Sequence, residues 1–217
     1  MNLTLLRQGR IKRDSPIILR DQSAFALVEF LISAVIFLSV SAAVFNTMAD
    51  IQRVAGYQSE MQSVLDNTRV ALETTAALLQ QAGNDPFLIG LTGITIIGDS
   101  QVQLQSDIAG SASPGAPDKG DPDGDISDSG ENMILKYNSG TRSLNIAQGN
   151  GAAQAVATGI SGFNLVYYDT DGIPTNQGSE VRRVTVSVSG ASLLPDPQTG
   201  RVFAVQLASD VRILTRH

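Results

Sequence analysis

The sequence predicts an α+β protein in which one long N-terminal helix packs on an antiparallel β-sheet. Three observations predict it. Gly and Pro, which break helices and make turns, are nearly missing from the first third. Of 20 Gly only Gly9 and Gly56 precede residue 83, and of 8 Pro only Pro16 precedes residue 86. An uncharged apolar run fills residues 30–49. After residue 87 the chain falls into short β-rich runs punctuated by Gly, Asn and Asp.

Taken in order, the elements begin with a basic stretch. Residues 1–24 carry Arg7, Arg10, Lys12, Arg13 and Arg20 against Asp14 and Asp21, a net of +3. The whole chain of 217 residues is at −6, so the remainder carries −9. A basic leader before an acidic body follows the positive-inside pattern, with the leader cytoplasmic and the body exported. The next segment, Phe30 to Ala49, reads FLISAVIFLSVSAAVFNTMA, 20 residues without a charge. As a helix it spans about 30 Å, the thickness of a bilayer's hydrocarbon core. A secretory signal's apolar region is shorter, about 7–15 residues. Residues 25–49 therefore read as the transmembrane half of a helix.

Residues 50–84 read as the second half of the same helix. Apolar and small residues recur at three- and four-residue steps: Ile51, Val54, Met61, Leu65, Thr68, Leu72, Ala76 and Leu79. The other face carries Gln52, Arg53, Glu60, Gln62, Asn67, Arg69 and Glu73. Gly83-Asn84 supplies a C-terminal cap and Asp85-Pro86 a stop. Phe25 to Ala82 would be a rod of about 87 Å. Gly56 is its weak point, at about 1 kcal/mol against Ala.

At the start of this helix, Ser23-Ala24-Phe25-Ala26-Leu27-Val28-Glu29-Phe30 resembles the class III signal of type IV prepilins. That signal is a small residue, Phe, a short apolar stretch and Glu, followed by a transmembrane helix. The resemblance implies cleavage between Ala24 and Phe25 by a membrane prepilin peptidase, which also methylates the new amino group of Phe25. Ala24 stands where the family usually has Gly. Glu29 becomes the fifth residue of the mature chain and the residue of subunit assembly. A carboxylate at the centre of a bilayer costs about 2.5–3.5 kcal/mol. The Phe25 amine of a neighbouring subunit would offset that cost and fix axial register. A Glu snorkelling to the headgroups is the plainer reading of the residue alone.

The resemblance continues, less specifically, towards the C-terminus. Val70-Ala71-Leu72, Leu78-Leu79-Gln80-Gln81-Ala82-Gly83-Asn84, the run from Gly159 to Gly172 ending Tyr-Asp-Thr-Asp-Gly, Val181 to Val188, and Ala208 to Leu214 are similar to minor pilins of the PilW kind and to J-type pseudopilins of type II secretion. This implies a pilin-like fold and a minor subunit of a type IV pilus acting in assembly or initiation. Its partners would be the prepilin peptidase/methyltransferase, other minor and major pilins, and inner-membrane lipid. The location implied is the bacterial inner membrane, single-pass, with the C-terminal domain in the periplasm, and then the fibre or its tip. A type II secretion pseudopilin and a non-polymerising membrane-anchored periplasmic protein are the alternatives.

Residues 85–217 read as a β-rich domain. Ile94–Ile97 and Val102–Gln105 are short strands. Met133–Tyr137 and Arg142–Ile146 flank Asn138-Ser139-Gly140 as a hairpin. Phe163–Tyr168 and Val184–Val188 follow, and in the latter Val alternates with Thr and Ser, so one face is buried. Val202–Leu207 leads into a last strand. A single sheet on the helix stripe would close one core. With no Cys in the chain, no disulfide can staple it.

Residues 106–132 form an acidic loop, with Asp107, Asp118, Asp121, Asp123, Asp125, Asp128 and Glu131 against Lys119. Its composition favours a solvated loop. Asp121-Pro122-Asp123-Gly124-Asp125-Ile126 nevertheless has the spacing of the middle of an EF-hand loop, where alternate hard oxygens and a Gly turn wrap Ca²⁺. That makes Asp121, Asp123, Asp125, Asp128 and Glu131 candidate calcium ligands. Lys119 sits where the first ligand should be, and Glu131 lies one residue past the bidentate position. Asp169-Thr170-Asp171-Gly172 reads as a turn.

Composition points away from catalysis. Without Cys, and with a single His as the last residue, there is no thiolate nucleophile, no Cys/His zinc cage and no positioned imidazole base. The acidic balance argues against nucleic acid, which needs a basic face.

Overall fold

The computed structural model describes residues 18–110 and 120–213, with side chains from Phe25 onward. The leader up to residue 17, Asp118, Lys119 and Leu214 lie outside the described residues. One helix, α1, runs Ile18–Gln81. It starts before Phe25 because no breaker stands between Pro16 and Gly56. It continues unbroken through Gly56, around which a Cβ would meet open space. It ends as expected. Gly83 takes the left-handed conformation (φ 80°) that a Cβ disfavours. Its N–H then donates to Gln105 O at 2.8 Å, tying the helix end to a strand.

The chain divides into two compact units between Gln52 and Arg53. In the first, the helix from Phe25 passes the length and hydropathy needed to cross a membrane, with a window of mean hydropathy 2.3 that is wholly unburied. Phe25 and Phe37 are 75% and 71% exposed. Two of its hydroxyls bond back to the helix: Ser39 Oγ donates to Val35 O (2.8 Å) and Thr47 Oγ1 to Ala43 O (3.0 Å). In lipid, where water cannot serve, such back-bonding is required.

The second unit joins the C-terminal part of α1 to two sheets, where the sequence predicts one. Strands β1 (Ile94–Gly98), β2 (Gln101–Gln105), β3 (Asn132–Asn138), β4 (Ser143–Gln148) and β5 (Gln154–Thr158) form an antiparallel meander in that order. Strands β6 (Ile160–Tyr168), β7 (Arg183–Pro195) and β8 (Val202–Arg212) form a second. The break falls at Gly159, whose φ of 75° turns the chain out of one ladder and into the next. Ile160 N then donates to Arg142 O, so the junction stays bonded to the β3–β4 turn.

Both sheets share one core with the helix. Val102, Leu135 and Leu144 from the first sheet and Ile160, Val184, Val186 and Val188 from the second are fully buried, beside Ala71 and Leu79 of α1. The alternation expected along β7 is observed: Val184, Val186 and Val188 face inward, while Thr185 and Ser187 face outward.

The helix stripe is shifted from the expected one. Its buried centre is Val64, Thr68, Ala71, Thr75 and Leu79, and Leu72 and Ala76 sit only at its margin. Ile51 is exposed. A physical reason is the close approach of α1 to Gly190 of β7, where Thr68 and Val64 meet the strand. Buried Thr68 and, two turns on, buried Thr75 are tolerated in the stripe because each hydroxyl donates back to the helix, to Val64 O and Ala71 O, both at 2.7 Å.

Candidate functional site

Two regions carry the residues singled out by sequence. Glu29 lies within α1, one helical turn after Phe25, among exposed Leu27, Val28, Phe30, Leu31 and Ile32. The spacing of four puts Phe25 and Glu29 on one face. The Ala24–Phe25 bond lies in the helical backbone, and the Ala24 side chain is outside the description. Because a helix dipole places positive potential at its N-terminus, a chain that began at Phe25 would set Glu29 in a favourable field.

The acidic loop is organised from beneath by two buried carboxylates. Asp107 and Glu131 are both 0% exposed. Glu131 Oε1 accepts the N–H groups of Ile108 (3.0 Å) and Ala109 (2.9 Å), and Oε2 accepts that of Asp128 (3.0 Å). Asp107 accepts from Asp123 N at 3.2 Å and Gly124 N at 3.0 Å. A buried charge is stable when hydrogen-bonded to several donors. These residues order the described part of a segment whose composition alone argues for a loose one.

This changes the candidate calcium set. Asp123, Asp125 and Asp128 bring one oxygen each within 4.8 Å of one another. Asp121 is not in that group, and Glu131 is turned to the loop's own amides instead of outward. Asp125 is also engaged locally. The N–H of Ser127, bonded at 2.7 Å, and the Ser127 hydroxyl hold its carboxyl below the usual range. Among the described residues, what remains is a trio without a bidentate partner.

A third acidic site was not legible in sequence. Asp85, placed by the helix stop, accepts the N–H groups of Ile89 (2.9 Å), Gly90 (2.8 Å) and Leu91 (3.1 Å). Desolvation raises its pKa, and the four backbone bonds to residues 88–91 outweigh that and lower it. The clasp holds Leu88 at φ 56°, in the left-handed region, and leaves Phe87, Leu88 and Ile89 exposed.

The turn expected at residues 169–172 is present. Asp169 Oδ1 accepts from Asp171 N (2.9 Å) and Ile173 N (2.8 Å), so this carboxylate closes a loop. Nearby, Arg183 stacks 4.4 Å over the Tyr168 ring and pairs with Asp210 at 3.5 Å. Both partners are substantially exposed, so the pair contributes little to stability. No protein-family model matches the chain, and no curated protein matches it.

Proposed function

We propose that the chain is a minor subunit of a type IV pilus-like fibre, matured by cleavage before Phe25 and N-methylation of that residue. Its work is assembly: an apolar helix held in the inner membrane, then packed into a fibre core, with the β domain outward in the periplasm. The observation that carries this reading is Glu29, a single carboxylate on an exposed apolar helix four residues after Phe25. An isolated anchor has no use for a charge there, and lipid penalises it. A polymer supplies the compensating amine from a neighbour.

Replacing Glu29 with Ala tests this. In cells carrying the assembly machinery, the variant should accumulate in the membrane at wild-type level and be lost from sheared fibres. Equal incorporation of Glu29→Ala and wild type would favour a plain membrane anchor.

A further inference from the structure

Within the Arg53–His217 unit, the helix, the β3–β4 turn and β7 enclose a cleft of about 440 Å³ lined by Glu60, Asn67, Thr141, Arg142, Thr158 and Leu193, among others. That volume is within the range of small-ligand sites. Glu60 sits on the helix face that the sequence assigns to water. Its Oε1 instead accepts the N–H groups of Leu193 and Leu194, at the irregularity between the Ala191 and Pro195 pairings of β7 with β8. Its Oε2 is buried and has no hydrogen-bond partner among the described residues. A carboxylate can only accept, so this oxygen lacks a donor. Arg142, the one cation among the described residues lining the cleft, does not provide it. Its Nη2 donates to the carbonyls of Gly159 and Ala191 and braces the turn, at a backbone φ of 50°.

We propose that the cleft binds a primary alkylammonium group, as carried by a lysine side chain, with Glu60 Oε2 as its counter-ion. The geometry selects ammonium over guanidinium. A guanidinium seeks two parallel acceptor oxygens, and Oε1 is already filled by two amides. A point charge needs only the remaining oxygen, and Asn67 and Thr141 offer further acceptors. Val64, Ala191 and Leu193 give the methylene stem an apolar wall. The Arg53–His217 unit as a whole carries 10 Lys and Arg against 17 Asp and Glu, a net of −7, which favours a cation. This site does not depend on whether the chain polymerises.

The test is an NMR titration of the full chain in neutral detergent, at constant ionic strength, following the amides of Leu193 and Leu194. Butylammonium should give saturable shifts, butylguanidinium should bind at least about fivefold more weakly, and butanol should give none. Nα-acetyl-lysine methylamide binding tighter than butylammonium assigns the ligand to a partner chain, and equal or weaker binding assigns it to a free amine. Glu60→Gln keeps an oxygen for the two amides and should weaken butylammonium by about tenfold or more. Ser63→Lys, which places an ammonium one turn along the helix, should abolish the response by filling the site. Shifts no larger than with sodium, or an undiminished response in either variant, would overturn the site.

Discussion

Gly190 sets how closely α1 approaches β7, and its replacement by Ala gives a quantitative test of the packing. A Cβ at this position would lie 2.2 Å from Thr68 Oγ1 and 2.9 Å from Val64 Cγ1. Ordinary contact is about 3.5–4.0 Å. Thr68 cannot rotate away freely, because its hydroxyl is buried and bonded to Val64 O at 2.7 Å. Overpacking costs about 1–3 kcal/mol, and a buried hydroxyl left without its acceptor adds a loss of about 1–3 kcal/mol. Gly190→Ala should therefore destabilise by about 3 kcal/mol. At about 2–4 °C per kcal/mol for a domain of this size, the calorimetric Tm of the full chain in neutral detergent should fall by about 6–12 °C. Thr68→Ala alone should cost about 1 kcal/mol, since it removes a satisfied hydroxyl. The double variant should recover part of the loss, with a coupling of about 1 kcal/mol or more. A Gly190→Ala protein melting within about 1 °C of wild type, or strict additivity in the double variant, would refute this account of the interface.

Other consequences are local. Glu131→Gln replaces one acceptor oxygen with a donor facing Asp128 N–H, so about 1–3 kcal/mol of loop stability should be lost. Hydrogen exchange at Ile108, Ala109 and Asp128 should quicken while the core amides of β7 stay protected. Asp85 has a lowered folded-state pKa, so its stabilisation of residues 88–91 is present above the unfolded value near 3.9 and lost as pH falls through the folded one. Amide exchange at Ile89, Gly90 and Leu91 should therefore rise in acid more steeply in wild type than in Asp85→Asn, and parallel pH profiles would contradict the clasp. Calcium added to the full chain should saturate the Asp123, Asp125 and Asp128 trio only near the millimolar range, because Glu131 is withheld. A calorimetric midpoint below about 10 µM would show that the loop rearranges to admit Glu131.

Much of the fold was legible because its signals are local. The absence of breakers gave the helix, Gly83 gave its end, and the Val184, Val186 and Val188 alternation gave the buried face of β7. What sequence missed depends on contacts distant along the chain. Strand β5, Gln154–Thr158, is built partly of Ala and owes its place to pairing with β4. The helix stripe is centred one position off because Gly190 lies over 120 residues away, and its approach makes Val64, beside the expected Thr68, a contact residue. Glu60 reads as a surface residue until β7 brings the Leu193 and Leu194 amides to it. Asp107 and Glu131 look like part of a solvated acidic run, yet their burial comes from amides on the far side of the loop. Periodicity reports which face is apolar, whereas charge inside a fold is set by donors that periodicity cannot locate.

The most direct test of the proposed function is the mass of the mature chain's N-terminus, measured on protein purified from cells with an active prepilin peptidase. A chain beginning at N-methylated Phe25 is the result the account requires. A chain that still carries its basic leader and an unmodified Phe25 under those conditions would contradict it.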